Sequence, residues 1–326
     1  MTEGNFVTEF DGEETEDLQP FFTHCTKGSG KFHFINSKII VGRNVYFTRD
    51  EAHSQVLASF AMKLDLVSVF EVTCGRITED GLYRLVKLDC SQIFMNNADL
   101  LARLSKQPSK SIYNRTPKQI IDSMPERNAR AFYAFNATTE GLMHSILDES
   151  PVMKKSLIAL GAHPAIDVMP RINTEMLYFG GLDPLSEFHT EDHHLASVSV
   201  MYFNLPPNSQ DTVGKVWLII TDEQKLYTVL LEILGDKAAT DTADSCQNSG
   251  CSGCPFPLDE KNLYLTTEIL DNRGIAYNII VQKPGDVLYL SYGTIHQVTQ
   301  LTPNCTGAIN FADKFWAALA PHKSHC

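Results

Sequence analysis

Nowhere among the 326 residues do roughly 18 apolar positions run together, so no segment is suited to crossing a bilayer as a helix. The opening stretch, MTEGNFVTEFDGEETEDLQP, has no basic start leading into an apolar core, and secretion is not expected. The three Asn-x-Thr triplets, at Asn114, Asn136 and Asn304, then read as chance. Positive charge is also in short supply. Lys and Arg number 27 against 39 Asp and Glu, a net charge of −12, and no basic run marks a face for a phosphate backbone. Direct nucleic-acid binding is not expected, and a basic partner suits this surface better. Cysteine is too sparse, at eight residues, for a disulfide scaffold, yet three crowd into CQNSGCSGC. In a reducing compartment such crowding points to a metal.

What is present is ample apolar material, 43% of residues, enough to build a sizeable core. Residues 1–20 are acidic and poor in aliphatics, which predicts a disordered tail, with order beginning near Phe32. Residues 21–129 read as a mixed, helix-rich region packing on the remainder of the chain. TRDEAHSQVLASFAMKLDLVSVF has a Thr cap, a Glu three positions later and apolar residues at helical spacing, then passes into a strand near Val69. LDCSQIFMNNADLLARLSK suggests a second helix, and TPKQIIDSMPERNARAFYAF a third element broken at Pro125. From about residue 130 the texture changes. EMLYFGG, ASVSVMYFNL, KVWLII, IAYNIIVQ, DVLYLSYG and TGAINFA are short β-rich runs separated by turn residues, which predicts a barrel or sandwich. One helix, DEQKLYTVLLEILGD, interrupts them, followed by a polar loop of about 20 residues that carries the clustered cysteines.

The chemistry concentrates in SEFHTEDHHLASVSVMYF. His189 and Glu191 stand two positions apart at the mouth of a strand, and side-chain direction repeats every second residue, so both can face one ion. A third ligand should come from a strand returning alongside, and KPGDVLYLSYGTIHQV supplies His296 after a Pro-Gly-Asp turn. Two imidazoles and one carboxylate form the facial triad that leaves three positions open on non-haem Fe(II).

HTED before a strand, KVW after it, then PGDVLYLSYGTIH and NCTGAINFADKFW, together with YFG upstream, resemble the Jumonji C (JmjC) domain of Fe(II)- and 2-oxoglutarate-dependent oxygenases, and most of all the histone lysine demethylases among them. The likeness spans about residues 130–326. It implies a double-stranded β-helix (jelly-roll, cupin-like) barrel, mainly β with helices, joined to a mixed α/β N-terminal part. It further implies His189, Glu191 and His296 as iron ligands, with Lys215, Tyr133 and Ser199 at the 2-oxoglutarate co-substrate. Lys215 would pair with the distal carboxylate, which Tyr133 would also contact; Ser199 stands where the family often has asparagine. Tyr178 and Asn310 would line the methyl-lysine pocket, and Ala308 and Ile309 replace small hydroxyl residues, with Ile309 expected to narrow that pocket. His193 and His194 match no role in the pattern.

Several demethylases of this type pin a loop to the segment beyond the barrel with structural zinc. Cys251 and Cys254 have the spacing of half a zinc site, and the chain ends HKSHC, so Cys251, Cys254, His322 and Cys326 are the proposed set, with His325 or Cys246 as substitutes. The activity implied is oxidative removal of an N-methyl group from lysine in a histone tail or other basic peptide, releasing formaldehyde and succinate, in the nucleus. A JmjC protein hydroxylase and an inactive binding module are the alternatives.

Overall fold

The computed structural model describes residues 7–11, 21, 39–43, 68–89, 97–105, 115–125, 131–138, 147, 174–181, 186–205, 213–234, 262–312 and 316. Strands dominate these residues. In chain order they are β1 (Val7–Asp11), β2 (Ile39–Arg43), β3 (Ser68–Arg76), β4 (Leu82–Asp89), β5 (Ala131–Thr138), β6 (Met176–Gly180), β7 (Ala196–Asn204), β8 (Lys215–Ile220), β9 (Leu263–Leu265), β10 (Tyr277–Gln282), β11 (Val287–Leu290), β12 (His296–Gln300) and β13 (Asn304–Phe311). The helices are α1 (Asn97–Ser105), α2 (Pro117–Ser123), α3 (Glu223–Leu234) and α4 (Thr267–Arg273). None of these helices is long and apolar enough to cross a membrane.

Ten strands form one sheet in the order β1-β2-β11-β7-β13-β6-β5-β3-β4-β9, and three form the other, β10-β8-β12. This is the double-stranded β-helix. The two sheets are linked by Ser186–His189, whose backbone reaches both. Phe188 bridges Leu263 of β9, while His189 bridges His296 and Ser186 donates to the carbonyl of Val298 in β12.

Burial explains why the strands read as nearly continuous apolar runs. Every residue of β8 is buried. Its odd positions, Trp217 and Ile219, pack with Ile39, Val41, Ile280, Leu288, Leu290 and Val298 between the sheets, whereas Val216, Leu218 and Ile220 pack against Leu226, Val229 and Leu230 of α3 and neighbouring residues. With both faces covered, hydrophobicity loses its period of two although side-chain direction keeps it.

The helices start and stop for local reasons. Thr116 and Gln119 form a reciprocal capping box on α2, Pro117 takes the first turn, and the helix ends before Pro125 as its sequence predicts. The first amide of α4, that of Thr267, is held by a remote carboxylate, since Asp122 Oδ1 accepts from its N–H (2.6 Å) and its hydroxyl (2.8 Å). Gly274 closes α4 in the left-handed conformation at φ 61°, which favours glycine.

One expectation for the N-terminal part is corrected. Within the stretch read as a disordered tail, Val7–Asp11 is a strand parallel to β2, from Val7 opposite Ile39 to Asp11 opposite Arg43. VTEFD is acidic but alternates, and the free edge of β2 gives its backbone groups partners. Arg43 then ties the pair together, donating to Glu9 (3.1 Å) on β1 and to the buried Asp286 (2.8 Å) in the turn before β11. Of residues 21–129, read as a helix-rich region, the described β2, β3 and β4 are members of the barrel's larger sheet, and α1 and α2 are the region's described helices. The helix read from Thr48 falls outside the described residues, and its predicted passage into a strand near Val69 is met by β3.

Candidate metal centre

His189 and His296 are directly opposed, each amide donating to the other's carbonyl at 2.9 Å. Opposed residues of an antiparallel pair project from the same face with Cβ atoms about 5 Å apart. The two imidazoles accordingly lie with ring centroids 4.5 Å apart. Two residues beyond His189, Glu191 points the same way, and one ligand atom from each of the three lies within 4.8 Å of the others. The return strand predicted to carry the third ligand is β12.

Both imidazoles are oriented identically. His189 Nδ1 is 2.8 Å from the carbonyl of Glu187, and His296 Nδ1 is 2.9 Å from the carbonyl of Thr294, in each case two residues back. A carbonyl only accepts, so Nδ1 bears the proton and Nε2 presents its lone pair to the centre. Lys87 of β4 pairs with Glu187 at 2.5 Å and so ties that segment to the large sheet. On the other side, the short helical turn Asp192–His194 abuts the loop before β12, where the amide of Gly293 donates to the carbonyl of His194 (3.1 Å). His194 has φ 53°, a left-handed conformation in a residue other than glycine.

The two oxygens of the Glu191 carboxyl face different neighbours. Oε1 lies 3.7 Å from His296 Nε2, and Oε2 accepts from Asn310 Nδ2 at 3.0 Å. The Ser197 hydroxyl also bonds this carboxylate. Burial works against its charge, but His296, His189 and these two donors outweigh it and keep the group below the usual carboxylate range. Two imidazole nitrogens and one carboxylate oxygen gathered this closely suit Fe(II) and match the facial triad in ligand type.

The other residues singled out from the sequence separate into groups. Lys215 begins β8 on the same side as Trp217 and Ile219, opposite Gln282 and Gln300 in register, and has no carboxylate partner among the described residues. Burial lowers its pKa to about 7, slightly opposed by the nearby Cys305. Trp217, between Lys215 and the centre, stacks at 5.6 Å on His296 and donates its indole N–H to Gln282 Oε1 (2.9 Å). Gln282 in turn donates to the carbonyl of Ser199 (3.2 Å), which stands on β7 between Leu288 and Ala308. Ser199 shares its face of β7 with Ser197. The backbone of Tyr133 is opposite Gly180, and a Cβ at Gly180 would strike the side chain of Gln300, the register partner of Lys215. Tyr178 is half-buried, and burial, then Glu191 and Asp192, raise its pKa, placing it beside the centre.

Ile309 is a correction. Asn310 faces Glu191, so its neighbour Ile309 projects to the opposite side of β13 and is buried there, paired with Val198. Ala308 and Asn310 line the metal side, and Ile309 does not narrow it. Cys251, Cys254, His322 and Cys326 lie outside the described residues, as do His325 and Cys246. The sequence reading missed Ser197 and the carbonyls of Glu187 and Thr294. Alternation in ASVSV was the available signal for the first, since it puts Ser197 and Ser199 on one face.

Residues 176–311 match the JmjC domain, hydroxylase, family, a span from the first residue of β6 to the last of β13 that contains all three clustered side chains. Over that span the chain is similar to JmjC domains, a family that implies Fe(II) and 2-oxoglutarate. Three relatives are similar to about half of the chain. It is 27% identical over 161 residues to "Probable lysine-specific demethylase 4F" of Homo sapiens (49% of this chain, 22% of that protein). It is 26% identical over 159 residues to "Lysine-specific demethylase 4D" of Rattus norvegicus (49% and 28%). With "Probable lysine-specific demethylase SE14" of Oryza sativa it shares 24% over 155 residues (47% and 9%). The matched part spans less than a third of each of these proteins.

Proposed function

We propose that this chain is an Fe(II)- and 2-oxoglutarate-dependent lysine demethylase acting on N-methyl-lysine in a basic peptide such as a histone tail. The observation that carries the reading is the convergence of His189, Glu191 and His296 on one point inside a barrel that also buries the ammonium of Lys215 without a carboxylate partner among the described residues. With its co-substrate and dioxygen, the metal supplies the oxidising power that turns an N-methyl group into formaldehyde while 2-oxoglutarate leaves as succinate and carbon dioxide. The chain's own residues do the rest. His189 and His296 offer Nε2 and Glu191 offers Oε1. Lys215 receives the distal carboxylate of the co-substrate, because a buried ammonium needs an anion to offset its desolvation. Tyr133 and Ser199 complete that end, and Trp217 walls the space between against water. Tyr178 and the Asn310 amide oxygen face the methylated ammonium, which an aromatic ring and an oxygen dipole stabilise without hydrogen bonds to it.

A hydroxylase reading is favoured by one feature, the methyl of Ala308 on the metal side of β13, which offers a methyl-ammonium no oxygen. The test is turnover on mixing with iron, 2-oxoglutarate and methylated peptides, with His189→Ala as control. Succinate with a peptide lighter by one methylene supports demethylation; succinate with a peptide heavier by one oxygen supports hydroxylation. No succinate above the control overturns both in favour of a binding module. Nuclear location and the zinc set of Cys251, Cys254, His322 and Cys326 are part of the proposal, checked by imaging and by zinc content of Cys254→Ser.

A further inference from the structure

Glu191 has two oxygens, and how many reach a metal decides how many positions remain for everything else. A six-coordinate ion held by two imidazoles and one carboxylate oxygen keeps three positions, enough for a chelating co-substrate and dioxygen together. Held by both oxygens it keeps two, and one reactant is shut out. Asn310 holds the carboxylate by the oxygen that is not the one nearest His296. Oε1 is turned toward His296 Nε2, whereas Oε2 is occupied by the Asn310 amide at 3.0 Å. Asn310 and Ser197 are directly opposed on β13 and β7, so two neighbouring strands present both donors to one group from a fixed register. A carboxylate offers no donor, which fixes the amide with Nδ2 inward and Oδ1 outward.

We infer that the Asn310–Ser197 pair is a positioning device that keeps Glu191 a one-oxygen ligand and so holds the third coordination position open. This rests on the iron reading above and assigns to Asn310 a task distinct from lining the substrate pocket. The amide acts on the metal through Glu191 and touches no reacting atom in doing so.

The experiment is anaerobic titration of the full chain with Fe(II) and then with 2-oxoglutarate, following the metal-to-co-substrate charge-transfer absorption, for wild type, Asn310→Ala, the isosteric Asn310→Asp and Ser197→Ala. In Asn310→Ala the iron Kd should weaken by about 10-fold or more, the usual effect of removing an outer partner of a ligand. The charge-transfer band should weaken or shift at saturating iron, as the freed oxygen competes for the open position. Asn310→Asp, which keeps the shape but faces one carboxylate with another, should lose more, and Ser197→Ala should follow Asn310→Ala at smaller amplitude. Unchanged iron affinity and an unchanged band in Asn310→Asp, accompanied only by a raised KM for peptide, would overturn the inference while leaving the oxygenase reading intact. Failure of the wild-type chain to take up iron would instead bring down the reading on which both depend.

Discussion

Lys215 is the side chain with most at stake for its size. Its pKa falls from 10.5 to about 7 because burial disfavours the charged form. Folding lowers the value, so between pH 7 and 10.5 the unfolded chain binds more protons than the folded one, and stability rises with pH across that window. Lys215→Met should therefore stabilise the ligand-free protein most at or below pH 7 and progressively less toward pH 10.5, as read from urea midpoints. The same change should abolish measurable 2-oxoglutarate binding. In wild type the affinity for the co-substrate should decline above pH 7, as the free ammonium is lost, and calorimetry in buffers of different ionisation enthalpy would show proton uptake on binding. At this scale the sequence was legible where chemistry is local. His189 and Glu191 declare themselves by spacing, and His296 by the turn and strand around it. The bond from Asn310 to Glu191 was not legible, because it spans 119 positions and depends on the register of β13 against β7. The misreading of Ile309 came from treating neighbours in a strand as neighbours in a pocket.

At the scale of elements, the predictions concern joints between pieces that are remote in the chain. Asp122 of α2 supplies the cap of α4, so Asp122→Ala should cost about 1–2 kcal/mol and lower the thermal midpoint without altering metal uptake. Gly180→Ala would drive a methyl into Gln300, which already accepts from Asn304 Nδ2 (3.0 Å), and the clash lies beside Lys215. Gln300 can swing its terminal amide aside, so the loss should be about 1 kcal/mol, that of its bond to Asn304, with a raised KM for 2-oxoglutarate, checked by denaturation and kinetics. The barrel strands were legible from β-branched runs between turn residues, and α2 from its Thr-Pro start and Pro125 stop. β1 was not. Its five residues carry two acids, and what makes them a strand is the open edge of β2, whose position no local pattern reveals.

For the whole molecule, the boundary near residue 130 that the change of texture suggests divides sequence styles and not folding units. The larger sheet runs through it, since β5 pairs with β3 on one side and β6 on the other. A chain begun at residue 130 would expose the edges of β11 and β5 and should be insoluble or unfolded by circular dichroism, whereas the full chain folds. Metal should act on the whole body: at a hundredfold excess over Kd, a bound ion adds about 2.7 kcal/mol, worth several degrees of thermal midpoint in wild type and none in His189→Ala.

The reciprocal amide pair of His189 and His296 has a bearing on how the protein would wear out. It is one stitch of the seam along which the two sheets are sewn, and its side chains are the same ones that would grip the ion. Starving the protein of iron would then leave its cylinder laced more loosely there, with faster deuterium uptake at those two amides and earlier cleavage by proteases. Cellular lifetime, and not turnover alone, would follow the supply of iron.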